Sequence, residues 1–158
     1  SLLISSTRVY QDSEEPINEL SNINSEDFRA KSLLESEAIY SNEINSSQKT
    51  IFRLSGLYDP EMKDKIFYKQ VDEFQNKLIP ISSNLNRLSR DQAARIIMNF
   101  CINKTDLSLL NVSEPTVLAQ ERFKILFPKK NFDDFFRIDN PGKQLDISNL
   151  LKSKLLDG

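Results

Sequence analysis

Three consecutive hydroxyl side chains, Ser5, Ser6 and Thr7, follow the short apolar run Leu2, Leu3 and Ile4. Such a run reads as a buried strand, and open α/β folds place their chemistry just beyond the carboxyl ends of strands, so the trio is a candidate site. The plainer reading of Ser6 is a strand-end hydroxyl that bonds a neighbouring backbone group. Arg87, after Asn86 and just ahead of a helical stretch, has the planar fork that suits bidentate contact with a phosphate; a surface ion pair is the plainer reading. Lys31 on a helix reads as a lysine facing water. Cys101 stands on an apolar face and reads as a small core residue.

Missing residue types remove whole reaction classes. The 158 residues contain no histidine, which excludes a serine-histidine triad, most zinc sites and imidazole acid-base chemistry within the chain; no metal site is expected. The three glycines, Gly56, Gly142 and Gly158, lie too far apart to build a Walker loop or a G-x-G-x-x-G turn. The chain by itself is therefore expected to bind neither NAD nor NADP. With 21 basic and 23 acidic residues there is no basic field to attract nucleic acid. No apolar run approaches the ~20 residues that span a bilayer, so no membrane partner is expected. The lone Cys101 forms no internal disulfide, and a reducing cytoplasm is the default compartment.

The elements that must position these residues alternate. Apolar content of 39% with 28% charged residues fits one soluble globular domain over residues 1–158. After the opening strand, "QDSEEPINELSNINSED" reads as a long surface loop. A helix is expected from about Asn24 to Ser41, capped by Asn24 or Ser25, with Ala30, Leu34 and Ala38 on one face. Further helices are expected over Glu61–Leu78, where Phe67, Val71, Phe74 and Leu78 share a face, over Ser89–Asn103, opened by an S-x-x-Q capping box, over Thr116–Leu126, and from Ser148. Ile51–Leu54 and Leu107–Val112 read as buried strands, "LIPIS" as a short extended piece and "KQLDI" as strand-like. Strands separated by helices mean α/β with a largely parallel sheet, and no internal repeat is present.

Four pieces in order, "SSTRVY", "IFRLSGLYDP", "NRLSRDQAA" and "LNVSEP", together with the closing "GKQLDISNLLKSKL", resemble the second half of an extended or atypical short-chain dehydrogenase/reductase, the NAD-dependent epimerase/dehydratase family. The resemblance runs over nearly the whole chain. It implies the C-terminal part of a Rossmann-like parallel sheet plus a small substrate-binding region, with the glycine-rich cofactor turn absent. A fragment of a longer protein is the expected reading; a lineage that has lost its cofactor half is the alternative.

The same resemblance implies site roles. Ser6 falls where the family has the hydroxyl that hydrogen-bonds the reacting substrate oxygen. Tyr58, before Pro60, resembles the substrate-side loop, though Asp59 replaces the family's glycine. Asn86 and Arg87 resemble an anchor near the substrate phosphates, and Arg90 and Asp91 a segment that pins a helix to the sheet. The family's base, the tyrosine of Y-x-x-x-K, has no counterpart, because four residues beyond Tyr10, Tyr40, Tyr58 and Tyr68 stand Glu14, Ile44, Met62 and Asp72. "DFRAKSLLESE" is similar instead to an atypical subgroup without that tyrosine. The implied function is the substrate-binding half of an NAD(P)-dependent epimerase/dehydratase acting on a sugar or nucleotide sugar, not competent alone. A non-catalytic Rossmann-like binding or interaction protein is the alternative. NAD or NADP belongs to the full-length protein. The strand Leu2–Ser6, having lost a neighbour, is expected to drive homo-oligomerisation through its free edge.

Overall fold

In the computed structural model, residues 1–59, 67, 78–103 and 106–156 are described. Three parallel strands form the main sheet: β1 (Leu2–Ser6), β2 (Thr50–Leu54) and β7 (Leu109–Val112), in the order β1-β2-β7. All five residues of β2 are buried, as befits a central strand covered on both faces. Parallel neighbours require crossovers, and helices supply them. Helix α1 (Phe28–Glu43) lies between β1 and β2 in sequence, and α2 (Arg90–Asn103) precedes β7.

The cap of α1 is Asp27, whose carboxylate accepts from the Ala30 N–H at 2.7 Å; Asn24, expected in that role, instead closes the turn before it by accepting from the Glu26 and Asp27 N–H groups. The buried face of α1 carries Ala30, Glu37 and Tyr40, whereas Ala38, expected inward, is exposed. On α2 the expected cap holds, with the Gln92 N–H donating to Ser89 Oγ at 3.2 Å, and Ala93, Ile96 and Phe100 are buried. Cys101 is exposed, which corrects its reading as core: one residue past Phe100 is a rotation of about 100° off the buried stripe.

Short strands form a second layer. These are β3 (Gly56–Tyr58) with β6 (Arg87–Ser89), β4 (Ile79–Ser82) with β9 (Phe136–Asn140), and β5 (Asn84–Leu85) with β8 (Val117–Leu118). "LIPIS" is thus extended as expected, but its partner β9 had no signal of its own. Helix α3 (Ala119–Leu126) starts three residues later than expected because Val117 and Leu118 pair with β5, and the Ala119 N–H donates to the Ser83 carbonyl. "KQLDI" contributes only a bridge, Ile17 to Leu145. That bridge buries Ile17 and ties down the long polar segment expected on the surface. Helix α4 (Ser148–Lys152) closes the chain.

Two cores result. Val9, Tyr10, Phe52, Leu88, Ile96, Phe100, Leu110 and Leu150 pack about the main sheet. Phe67, Phe123, Phe132 and Phe136 form an aromatic cluster beneath the short strands, with Phe123 at 5.6–5.8 Å from each of the other three rings. The helix expected over Glu61–Leu78 lies outside the described residues except for Phe67, which is buried as expected, and Leu78, which is 47% exposed immediately ahead of β4.

Candidate functional site

Strand register decides what meets at the carboxyl end of the sheet. Ser6 stands opposite Leu54, the last residue of β2. The chain then passes Ser55 into β3, where Gly56 pairs with Arg87 and Tyr58 with Ser89. Ser6, Tyr58 and Arg87 thus stand on β1, β3 and β6, and β3 continues directly from the carboxyl end of β2. Gly56 permits this closeness: a Cβ there would stand 3.0 Å from Arg87 Nη1, so the guanidinium lies along the bare backbone. Asp59 is 3.9 Å from the exposed Arg90.

Ser6 caps a single 3-10 turn, Thr7–Val9, and its Oγ accepts from the Arg8 N–H at 3.2 Å. That leaves its proton free to donate. The Tyr58 hydroxyl bonds both oxygens of Glu114, at 3.0 and 3.2 Å, and Glu114 also takes the Ser89 N–H at 2.9 Å. Arg122 of α3 lies over the Tyr58 ring at 5.4 Å. Burial, reinforced by the carboxylate of Glu114, pushes the Tyr58 hydroxyl above the ordinary tyrosine value. Tyr10 is also pushed up, chiefly by burial. Neither shift favours a tyrosinate at either position.

Asn86 works on main chain. Its Nδ2 donates to the Lys143 carbonyl at 2.7 Å, its Oδ1 accepts from Thr116 Oγ1 at 2.6 Å, and the Leu145 N–H approaches the same oxygen at 3.4 Å. The amide thereby fastens the segment after Gly142 beneath Arg87. Gly142 has a positive φ of 69°, and a Cβ there would meet Ser82 Cβ at 2.7 Å. Beside Asn86 and Arg87 lies an open cavity of about 400 Å³ lined also by Pro80, Ile81 and Asn84. Lys143 is half-buried, which lowers its pKa against the opposing pull of Asp12 at 3.7 Å.

Sequence patterns alone did not mark Glu114, Arg122 or the pair Glu37–Arg53. Arg53 lies on the central strand and makes two bonds to Glu37, Nε to Oε1 at 3.0 Å and Nη2 to Oε2 at 2.6 Å, with both side chains over nine-tenths buried. A signal existed: "TIFRL" places one charge inside an otherwise apolar strand, and Glu37 follows Ala30 at two helical turns. Burial works to lower the Arg53 pKa, but its bonds to Glu37 and contact with Tyr10 outweigh it and leave the guanidinium firmly charged. Among the described residues, no group of three or more Cys, Asp or Glu side chains could hold a metal ion, and no helix is long and apolar enough to cross a membrane.

No family model and no curated protein sequence matches the chain. Solved structures do. An NAD-dependent epimerase/dehydratase from Methylobacillus flagellatus superposes with a TM-score of 0.71 at 25% identity, covering 96% of this chain and 56% of its own. A UDP-glucuronic acid 4-epimerase from Bacillus cereus, in complex with UDP-glucuronic acid and NAD, gives 0.70 at 15% identity, over 96% of this chain and 54% of its own. A UDP-N-acetylglucosamine 4-epimerase from Bacillus cereus gives 0.67 at 18%, over 99% and 57%. The chain thus has the Rossmann-like α/β fold of these epimerases and dehydratases and spans about half of their length.

A dinucleotide needs backbone N–H groups at a glycine turn and a helix N-terminus open to its pyrophosphate. Here Gly56 faces Arg87, Gly142 packs on Ser82, the N-terminus of α1 is taken by the Asp27 carboxylate and that of α2 by Ser89.

Proposed function

We propose that this chain is the substrate-facing part of an NAD(P)-dependent epimerase/dehydratase that acts on a nucleotide sugar, and that it performs no redox chemistry alone. What supports the reading is that β2, paired with the Ser6 strand, runs on through Ser55 into β3, where Tyr58 lies on the strand paired with that of Arg87, in a fold shared with epimerase structures, one of them holding a UDP-sugar. In this reading Arg87 meets the substrate phosphates through its planar fork, and Asn86 holds the strand register beneath it. Ser6 donates to the sugar oxygen, and Tyr58, neutral and oriented by Glu114, lines the sugar side. NAD or NADP is held by residues other than the described ones.

A second reading, a Rossmann-like protein that binds without catalysis, draws on the missing Y-x-x-x-K pair and on the raised pKa of both Tyr10 and Tyr58. Either way the free edge of β1 is the proposed contact with a second copy of the chain. Titration of the isotope-labelled chain with UDP-glucuronic acid and with UDP-N-acetylglucosamine, followed by NMR, tests the binding. Saturable shifts at Ser6, Tyr58 and Arg87, weakened roughly tenfold by Arg87→Lys (about 1.4 kcal/mol), are expected. No shift with either compound up to about 10 mM, a range that covers even weak binding, refutes it. Turnover by the full reading frame with NAD or NADP then separates the catalytic from the purely binding reading.

A further inference from the structure

Ser5, Arg53 and Asn111 stand side by side in register on β1, β2 and β7, one residue short of the strand ends, and form a buried polar row across the sheet. Glu37 reaches down from α1 to join it. Glu37 Oε1 accepts from Ser5 Oγ at 2.5 Å as well as from Arg53. On its other side the Arg53 guanidinium lies 4.9 Å from the centre of the Tyr10 ring, and the Tyr10 hydroxyl donates to Asn111 Oδ1 at 2.7 Å. One ion pair thus grips both ends of the segment Ser5–Tyr10, the residue before Ser6 and the residue that closes its turn. Within the turn the bonds are long, the Arg8 N–H to Ser6 Oγ at 3.2 Å and the Tyr10 N–H to the Thr7 carbonyl at 3.3 Å. From outside, the Asn24 N–H donates to the Val9 carbonyl at 2.6 Å and Asp27 pairs with Arg8 at 3.5 Å, but neither reaches Ser5 or the Tyr10 side chain.

A buried ion pair is weak as a source of stability, since the desolvation of both charges offsets their attraction, and well-packed apolar replacements are often as stable. Its value lies in geometry, because a bidentate guanidinium with a stacked ring admits one arrangement of its partners. From this arrangement we propose that Glu37 and Arg53 are positioning residues that fix the Ser6 turn for its ligand. The part concerning the ligand rests on the function proposed above; the part concerning the turn does not.

The test is the double variant E37L/R53M, which replaces the pair by apolar groups of similar volume and avoids leaving one charge buried alone. Its melting temperature should stay near that of the wild type. Hydrogen exchange of the Arg8 and Tyr10 amides should accelerate at least tenfold, while the Leu54 and Val112 amides stay protected. Affinity for UDP-glucuronic acid should fall at least tenfold, and Arg53→Lys, which restores a charge without the fork, should not recover it. Unchanged exchange at Arg8 and Tyr10 overturns the proposal, as does faster exchange with full affinity. Should the single Arg53→Lys variant not fold, Ser5→Ala, which cuts only the link to Glu37, is expected to loosen the Arg8 amide, and an unmoved amide counts against the proposal. A wild-type chain that binds no UDP-sugar refutes the function proposed above, and the exchange data then decide the turn by themselves.

Discussion

Removing the Asn86 amide isolates how the Arg87 strand is held. In Asn86→Ala, the Lys143 carbonyl loses its donor at 2.7 Å and Thr116 Oγ1 its acceptor at 2.6 Å, while the 3.4 Å contact from Leu145 contributes little. A net hydrogen bond contributes about 1 kcal/mol, and abandoned part-buried partners add to the loss, so about 2–3 kcal/mol is expected. For a chain of this size that lowers the melting temperature by roughly 5–10 °C. Thermal melts followed by circular dichroism measure it. Thr116→Val removes both the bond to Asn86 and the one that Thr116 Oγ1 accepts from the Leu145 N–H at 3.2 Å, so a comparable cost of about 2 kcal/mol is expected. The two substitutions share a bond, so the double variant should lose less than the sum. Asn86→Asp keeps the acceptor but sets a carboxylate against the Lys143 carbonyl, and should be no better than alanine. A melting temperature within about 1 °C of the wild type for Asn86→Ala would show that the amide fastens nothing.

Phe123→Ala empties the centre of the aromatic cluster, where Phe123 is 1% exposed, and should cost about 3–5 kcal/mol by chemical denaturation; a loss under about 1 kcal/mol would mean that the second core is not packed as described. Asp27 has its pKa lowered, first by the Ala30 N–H and then by Arg8, so its stabilisation of α1 is complete above the ordinary carboxylate pKa and disappears as pH falls through the lower folded value. Acid titration of Asp27→Asn should therefore show a shallower loss of stability in that window, and a parallel curve would refute the cap. Leu3 is half-buried and Ile4 is 45% exposed on the β1 edge, so Ile4→Lys should dissolve self-association measured by light scattering, while a monomeric wild type at high concentration would remove the edge contact.

Local patterns carried much of the fold. "LLIS", "TIFRL" and "LLNV" are legible as strands because an apolar run bounded by breakers has few other uses, and the Ser89 cap of α2 is a local contact written in adjacent residues. Ser6 and Arg87 were legible from residue type as well as resemblance and Tyr58 from resemblance alone, while the pairing of β3 with β6 is tertiary.

What stayed hidden depends on neighbours far along the chain. Strand β9 exists because β4 lies beside it, and Val117 and Leu118 leave the expected helix because β5 offers unpaired backbone. Cys101 turned outward because the buried stripe of α2 is set by the strands beneath it, not by the helix's own apolar residues. Arg53 lies inside an apolar strand and Glu37 on a helix, with no local pattern to join them. Only the crossing of α1 over β2 makes them a pair, since a charge buried in a sheet must find its partner wherever the packing brings one. The sequence by itself determined the elements and their order, through periodicities and caps that act within a few residues. Tertiary structure alone decided which side chains meet at the site, because strand register and helix crossing are settled by the burial of all the elements together.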